Sequence, residues 1–125
     1  MTGASGRRPE RVGERIRSEL MELVLRGAIR DPDAAECCIT SVKMSDDLGI
    51  AKVYVRLLRS DVDQRTQRKV TEALNRAAPY LRHELSPRLK LKYLPELRFY
   101  WDEEIDRASR IEALLSEIGR EGQKP

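Results

Sequence analysis

The sequence has few of the residues on which catalytic, metal-binding and disulfide-rich proteins depend. Among its 125 residues there are one histidine, one tryptophan, one phenylalanine and two cysteines. The cysteines, Cys37 and Cys38, are adjacent, and this spacing gives neither a disulfide framework nor a set of metal ligands. In a strand their side chains point to opposite faces, so we expect one to be buried and the other to lie outside. The sequence therefore predicts no metal site and no disulfide.

Long apolar stretches are missing as well. No run approaches the roughly 18 apolar residues of a membrane-spanning helix. The N-terminal segment, MTGASGRRPE, lacks the apolar stretch of a signal peptide. We therefore expect a cytoplasmic protein without a membrane partner, and the length is that of one domain.

The residue sets of an active site are not found either. His83 lies between Arg82 and Glu84 on a predicted helix, without a serine or cysteine nucleophile at usable spacing, so we interpret it as a surface residue. The acidic clusters 46–47 and 102–104 fit a hairpin turn and a helix start, and no phosphate-cradling loop of the Walker type occurs. We predict a protein that is not an enzyme, with no cofactor and no small-molecule substrate.

Charge is present in abundance, and it is unevenly distributed. The net charge is only +3, but residues 1–30 carry 7 basic and 4 acidic groups, and residues 61–101 carry 9 and 5. Residues 102–125 reverse the balance with 4 basic and 7 acidic groups. This pattern favours a face that binds a polyanion such as nucleic acid, and the alternative is a solvated surface rich in arginine.

Apolar periodicity and turn residues predict the order of the secondary structure. Residues 1–8 are expected to form a flexible basic arm, and a first helix starts near Pro9 and ends near Gly27. Strands over 37–44 and 50–58 are joined by a hairpin turn, and a third strand covers about 96–101. An acidic segment at 102–104 opens a last helix, and residues 119–125 are expected to form a flexible tail. Residues 9–118, including this helix, form the predicted domain.

The stretch from residue 70 to residue 85 has a helical apolar face interrupted by a proline. Its apolar positions recur at three- and four-residue steps and are Val70, Leu74, Ala77, Leu81 and Leu85. Because proline lacks the N–H that the helix needs, we predict two helical pieces with a kink at Ala77, Ala78 and Pro79.

The predicted order, α-β-β-α-kink-α-β-α, indicates an α+β fold in which helices cover one face of a three-stranded sheet. Alternation in the first strand places Cys38, Thr40, Val42 and Met44 on one face and Ile39, Ser41 and Lys43 on the other. The uncovered face of the sheet is expected to carry Lys52, Tyr54, Arg56, Arg98 and Tyr100.

This order resembles the type II KH fold, an RNA-binding module that normally grips the RNA backbone with a GXXG loop. The chain has no GXXG, and the kink stands in its place. From about Arg8 to Ile118 it resembles the ribosome-binding factor A family. The segments that carry the resemblance are 8–12 (RPERV), 29–32 (IRDP), 42–48 (VKMSDDL), 51–55 (AKVYV), 73–77 (ALNRA), 80–82 (YLR) and 91–99 (LKYLPELRF), with Asp102. At the kink the family often has a small residue followed by glycine, where this chain has Ala78-Pro79.

The resemblance implies a KH-like domain without catalytic activity, acting as a monomer. It implies binding to the immature 30S ribosomal subunit, contact with 16S rRNA near its 5′ end, a role in late maturation of the subunit and often in growth in the cold. The residues that we expect to bind RNA are Arg8, Arg11, Arg15, Lys52, Arg56, Arg76, Arg82, Arg88, Lys90, Lys92 and Arg98.

Two alternatives remain open from the sequence. The basic side chains of the first helix could be ordinary surface charge, and Tyr54 and Tyr100 could cover a sheet edge instead of stacking on bases. The second function that we consider is a protein-interaction module that docks a partner through its open sheet face or its acidic last helix.

Overall fold

The structure, a computed structural model, describes the backbone of residues 2–59 and 61–122 and the side chains of 8–59, 61–105, 107, 108 and 111–119. Its elements are α1 (Thr2–Leu25), β1 (Cys37–Met44), β2 (Ile50–Leu57), α2 (Gln64–Leu85), β3 (Glu96–Trp101) and α3 (Glu103–Gly122). This order confirms the predicted α+β fold with a C-terminal helix. The last residues of the predicted tail, 123–125, lie outside the described residues.

The three strands form one mixed sheet in the order β1-β2-β3. β1 and β2 are antiparallel and joined by the predicted hairpin turn, whereas β2 and β3 are parallel, with Val53 beside Phe99 and Tyr54 beside Tyr100. Parallel neighbours need a crossover connection, and α2 provides it. The sheet therefore has one face under α1 and α2 and another that they leave uncovered.

The core lies between the helices and the sheet. Ile16 and Leu20 of α1 and Leu74 of α2 are fully buried, as are Val53 and Val55 of the central strand. Helix α1 approaches β1 closely at Gly13, where an added Cβ would stand 2.7 Å from the carbonyl oxygen of Val42. Among the described residues, no helix is long and apolar enough to cross a membrane.

The start of α1 differs from the sequence prediction. The helix begins at Thr2 and passes through Pro9, so placing its start near Pro9 was wrong. Proline fixes φ at a helical value and removes one N–H, and one lost hydrogen bond does not end the helix here. The flexibility of residues 1–8 stays a prediction.

Helix α2 is also longer than predicted, because the two helical pieces expected on either side of Pro79 form one helix. Pro79 lies on the exposed side, and Ala77 and Ala78 pack against the core. Asp63 caps the helix by accepting a hydrogen bond from Thr66 N at 2.7 Å. A bend at residues 77–79 stays a prediction.

The faces of β1 were predicted wrongly in its first half. A β-bulge shifts the register between Ile39 and Ser41, so two residues of β1 stand against one of β2. Ile39 therefore faces the core together with Val42, and strict alternation would have put them on opposite faces. Cys37 is buried and Cys38 half-buried, which agrees with the expected division of the pair.

Helix α3 follows β3 and begins at a buried cap. The carboxylate of Asp102 accepts hydrogen bonds from Glu104 N at 3.1 Å and from the Thr40 hydroxyl at 2.5 Å. The large apolar side chains of this helix are exposed, from 41% at Ile105 to 63% at Ile118. The helix therefore adds little to the core.

Candidate nucleic-acid interface

A groove runs between α1 and the loop that connects α2 to β3. Arg8, Arg11 and Arg15 follow the three- and four-residue steps of one helix face and form one side. The loop residues 88–94 form the other side, and we call the whole the basic groove. It contains two cavities that share Leu91. The first, of about 340 Å³, is lined by Arg11, Val12, Arg15, Arg88, Leu89, Lys90 and Leu91. The second, of about 410 Å³, is lined by Arg8, Asp47, Leu48, Gly49, Leu91, Lys92, Tyr93 and Leu94.

Arg88 holds the two sides of the basic groove together. Its guanidinium lies 3.0 Å from Glu19 and 3.3 Å from Glu22, both on α1. The hydrogen bond with Glu19 is the main reason that the pKa of Arg88 is raised above its ordinary value. Arg15 adds a hydrogen bond to the carbonyl oxygen of Arg88 at 3.3 Å. The loop is thus fastened to α1 by contacts between residues far apart in the sequence.

Arg82 fixes the other end of the same loop. Its guanidinium donates hydrogen bonds to the carbonyl oxygens of Leu94 at 2.8 Å and Pro95 at 3.1 Å. These bonds satisfy two backbone acceptors at the entry to β3. The arginine thereby sets the path of the loop that carries Lys90 and Lys92.

Other cations of the basic groove remain available to a ligand. Arg11 and Lys90 are exposed, and among the described residues neither has an acidic group within ion-pair distance. Lys92 lies 5.6 Å from the ring centre of Tyr93, which is itself 77% exposed. Beneath these cations are Val12, Leu89 and Leu91, and Leu89 is only 6% exposed. We call these three side chains the apolar floor.

The uncovered side of the sheet is the second basic surface, and we call it the open sheet face. The prediction that Lys52, Tyr54, Arg56, Arg98 and Tyr100 share it agrees with the strand register and with their exposure. The rings of Tyr54 and Tyr100 have their centres 5.8 Å apart.

Two of the three basic groups of the open sheet face are engaged within the protein, whereas Lys52 is exposed and has no ion-pair partner among the described residues. Arg98 lies 3.1 Å from Glu96, and this hydrogen bond is the main cause of the raised pKa of Arg98. Arg56 donates to the carbonyl oxygen of Asp102 at 3.2 Å and stacks over Trp101 with 5.5 Å to the ring centre.

The predicted RNA-binding residues therefore separate into three groups. Six of them meet in the basic groove: Arg8, Arg11, Arg15, Arg88, Lys90 and Lys92. Lys52, Arg56 and Arg98 lie on the open sheet face. The remaining two belong to α2, where Arg82 binds the loop and Arg76 lies 3.2 Å from Asp31. The predicted kink residues, Ala77, Ala78 and Pro79, do not line either cavity of the groove.

The apolar floor was missed by sequence reasoning. Its residues look like ordinary core positions, and only the contact between α1 and the loop turns them toward a shared cavity. The restraint of Arg88 by Glu19 and Glu22 was missed for the same reason. The helical spacing of Arg8, Arg11 and Arg15 was a signal that could have grouped these residues on one face.

The described side chains offer little for covalent or metal chemistry. Burial raises the pKa of the Cys37 thiol to about 11, which keeps it protonated and weakly nucleophilic at neutral pH. His83 is exposed, as predicted. Within the described part of the chain, no cluster of histidine, cysteine and acidic residues could hold a metal ion.

Comparison with known proteins gives a consistent match across most of the chain. The family model of ribosome-binding factor A matches residues 8–115. Ribosome-binding factor A of Brevibacillus brevis is 40% identical over 117 residues, which cover 94% of this chain and 93% of the relative.

Solved structures show the same fold. The crystal structure of ribosome-binding factor A from Thermus thermophilus aligns with a TM-score of 0.62 and 25% identity, covering 74% of this chain and 93% of that one. A homology model of the Thermus thermophilus factor, fitted into a cryo-EM map of its complex with the 30S subunit, aligns with a TM-score of 0.50 and 26% identity. That alignment covers 69% of this chain and 91% of the other.

Proposed function

We propose, since the chain belongs to the ribosome-binding factor A family, that it is a non-catalytic assembly factor for the small ribosomal subunit. It binds the free 30S precursor in the cytoplasm as a monomer and contacts 16S rRNA, near its 5′ end, during late maturation. The Thermus thermophilus relative fitted into a 30S complex supports the choice of the 30S subunit.

The observation that carries the proposal is the set of available cations in the basic groove. Arg11 and Lys90 project from two different elements toward one cavity. Phosphate groups bind such cations mainly through electrostatic attraction and release of counterions. The groove therefore provides a surface for the RNA backbone that needs no catalytic group.

The arrangement can position rRNA because its two sides are fixed relative to each other. The Arg88 ion pairs hold the loop against α1, and Arg82 fixes the end of the loop. Phosphate contacts set register and orientation, whereas contacts with bases give sequence preference. We infer that the protein works by holding a segment of rRNA in one arrangement while the subunit matures.

The proposal is tested by co-sedimentation with purified 30S subunits over a series of salt concentrations. Mature 70S ribosomes serve as the comparison, since an assembly factor should prefer the free subunit. We expect binding to 30S that weakens steeply as salt rises, because each phosphate contact releases counterions. The 16S rRNA positions protected from chemical probing on the 30S complex then show whether the contact lies near the 5′ end.

Absence of binding to either particle at low salt would overturn the assembly-factor proposal. Equal binding to 30S and 70S would overturn the preference for the free subunit. Turnover of nucleotides or of RNA ends by the purified protein would contradict the non-catalytic assignment.

A second candidate function is favoured by the exposed apolar stripe of α3. Large apolar side chains such as Leu115 and Ile118 face solvent on an acidic helix, and exposed apolar stripes commonly mark sites of protein association. In this case the chain docks a partner protein through α3 or the open sheet face. Association with the particle would then resist high salt, and it would be lost in a Leu115→Ser variant with an intact basic groove.

A further inference from the structure

The basic groove has a property that phosphate binding alone does not require. Cations are enough to hold a nucleic acid backbone, because phosphates and riboses offer little apolar surface. Here, however, Val12, Leu89 and Leu91 lie beneath Arg11 and Lys90 in the same cavity. Apolar lining with a few placed polar groups is the usual composition of a ligand pocket.

The dimensions of the groove also suit a small flat ligand group. Its first cavity, of about 340 Å³, lies within the range of about 300–1,000 Å³ for ligand pockets. Leu89 belongs to the hydrophobic core, so this part of the lining is fixed. The second cavity adjoins at Leu91 and brings Arg8, Lys92 and the exposed ring of Tyr93. A chain with alternating flat and anionic groups can follow both cavities.

We propose that the basic groove receives an unstacked base of a single-stranded RNA segment. The base lies on the apolar floor, Arg11 and Lys90 hold its flanking phosphates, and the strand continues past Lys92 and Tyr93. This inference rests on the proposed function, because it assigns the RNA contact of that function to one site and one form of RNA.

Single-stranded RNA fits this groove better than a duplex. In a duplex the bases are stacked and paired, and a protein meets mostly phosphates and 2′-hydroxyls. Such a surface would leave the apolar floor unused. Unpaired segments offer bases that can turn outward and contact aromatic or apolar side chains. An acidic peptide could satisfy the cations but carries no flat group for the floor.

The test compares two RNA probes that differ only in their bases. One is a fluorescent 12-nucleotide oligouridine, and the other is a 12-nucleotide abasic backbone with the same phosphates. Fluorescence anisotropy gives the affinity of the full chain for each probe. We expect the oligouridine to bind about tenfold more tightly, because seating one base is worth about one decade in affinity.

Variants separate the floor from the cations. Leu91→Ser should lower oligouridine affinity about tenfold and leave the abasic probe unchanged, since it alters only the apolar floor. Arg11→Ala should weaken both probes and lower the slope of log affinity against log salt by about 0.7, the value of one phosphate contact on a single strand. Arg30→Ala removes one exposed charge outside the groove and serves as the matched control. Thermal unfolding of each variant checks the fold, and Leu91→Ala, a milder truncation of the same floor residue, replaces Leu91→Ser if that variant is unstable.

Equal affinity of the native protein for the two probes would overturn the base site and leave a groove that binds phosphate only. Failure to bind either probe would also overturn it. Displacement of oligouridine by a 12-residue polyglutamate at equal concentration would point to an acidic peptide instead. Co-sedimentation of the same variants with 30S distinguishes the two proposals. If Leu91→Ser loses the preference for oligouridine but still binds 30S as the native protein does, the base site is contradicted and the assembly-factor proposal is not.

Discussion

The basic groove carries six of the basic residues singled out from the sequence and the open sheet face carries three, and the two surfaces also use these residues differently. On the sheet, Arg98 is bonded to Glu96, and Lys43 lies 3.9 Å from Glu104 and over the ring of Tyr54. In the groove, Arg11 and Lys90 have no acidic neighbour within ion-pair distance among the described residues. The groove thus has more basic residues than the open sheet face, and more of them lack an acidic partner among the described residues, although Lys52 on the sheet is also unpaired.

This difference bears on how a basic surface becomes a binding surface. A cation already paired with a carboxylate must give up that contact, or share it, when a phosphate arrives. An unpaired cation gains the whole interaction, reduced only by its own desolvation. We therefore expect the groove to bind a polyanion more strongly than the open sheet face does, even though that face also carries aromatic rings.

Reversing charge on one surface at a time tests this comparison most directly. The double variant Arg11→Glu with Lys90→Glu should lower 30S affinity about 100-fold, on the scale of about 1.5 kcal/mol for each charged hydrogen bond. The matched double variant Lys52→Glu with Arg98→Glu should lower it less than about fivefold at the same salt. Filter binding at one ionic strength measures both, and equal losses would remove the distinction between the surfaces.

A substitution that moves one wall of the basic groove without changing its charge tests the same comparison more sharply. Gly13→Ala places a methyl group 2.7 Å from the Val42 carbonyl oxygen, so α1 must shift away from β1. We expect a loss of about 1–3 kcal/mol in the free energy of unfolding, typical of overpacking, and weaker binding by the groove.

The control for that variant is Gly119→Ala on α3, where an added Cβ meets no atom within 4 Å. It should leave stability nearly unchanged or raise it slightly, because alanine favours a helix. Chemical denaturation compares the two variants. A native-like Gly13→Ala protein would show that α1 can move without cost.

Removing the Arg88 side chain tests whether its ion pairs with Glu19 and Glu22 contribute to RNA binding by the groove. Arg88→Ala removes the cation that Glu19 and Glu22 share and leaves them only Arg15 and Arg26 of α1 as partners, so we expect RNA affinity to fall about tenfold, more than one lost charge in a solvated pair would cause. Adding Glu19→Ala to that variant should restore part of the affinity. Titration of the single and double variants with one RNA measures this coupling.

The smallest expected effect is on the pH dependence of stability, through Asp47 in the β1–β2 turn beside the groove. Hydrogen bonds from the Ser45 hydroxyl at 2.7 Å and from Gly49 N at 2.9 Å lower the pKa of Asp47. Its stabilising contribution is therefore complete above the ordinary value of about 3.9 and is lost as pH falls through the lower folded value.

Asp47→Asn should accordingly be slightly less stable than the native protein at pH 7, and the difference should shrink as pH falls to 2. Urea midpoints at the two pH values give the comparison. If the difference in urea midpoint between the two proteins were the same at both pH values, ionisation of Asp47 would not contribute to the stability of the turn.

Sequence patterns were sufficient for most of the fold because they report local periodicity. Alternation located β2 and β3, and the apolar steps through Val70, Leu74 and Leu81 identified α2 and its buried face. They failed at Thr40, because a bulge changes the period without leaving a signature in residue type. Pro79 misled for another reason: the helix continues past it because the cost of one hydrogen bond is smaller than the gain from burying Leu81 and Leu85.

The candidate site was only partly accessible to the same reasoning. Residue type and spacing are enough to group Arg8, Arg11 and Arg15 on one helix face, but the contact of Arg15 with Arg88 joins positions 73 residues apart. No single-sequence pattern reports which two elements meet at such a distance. The pairing of Arg98 with Glu96, by contrast, joins two outward-facing residues two apart on one strand, a spacing from which the pair could have been predicted although it was not.

The crossover through α2 also has a consequence for the order in which the chain folds. The β1–β2 hairpin needs only a short connection, whereas β3 can pair with β2 only after residues 58–95 have been laid across the sheet. Pairings between residues distant in sequence pay a larger loop-closure entropy and form slowly. We therefore expect the basic groove, whose loop directly precedes β3, to take shape in the final folding step. The chain would then carry its basic residues before the fold holds them in a fixed arrangement. RNA that binds only the finished groove would stabilise the completed fold by mass action.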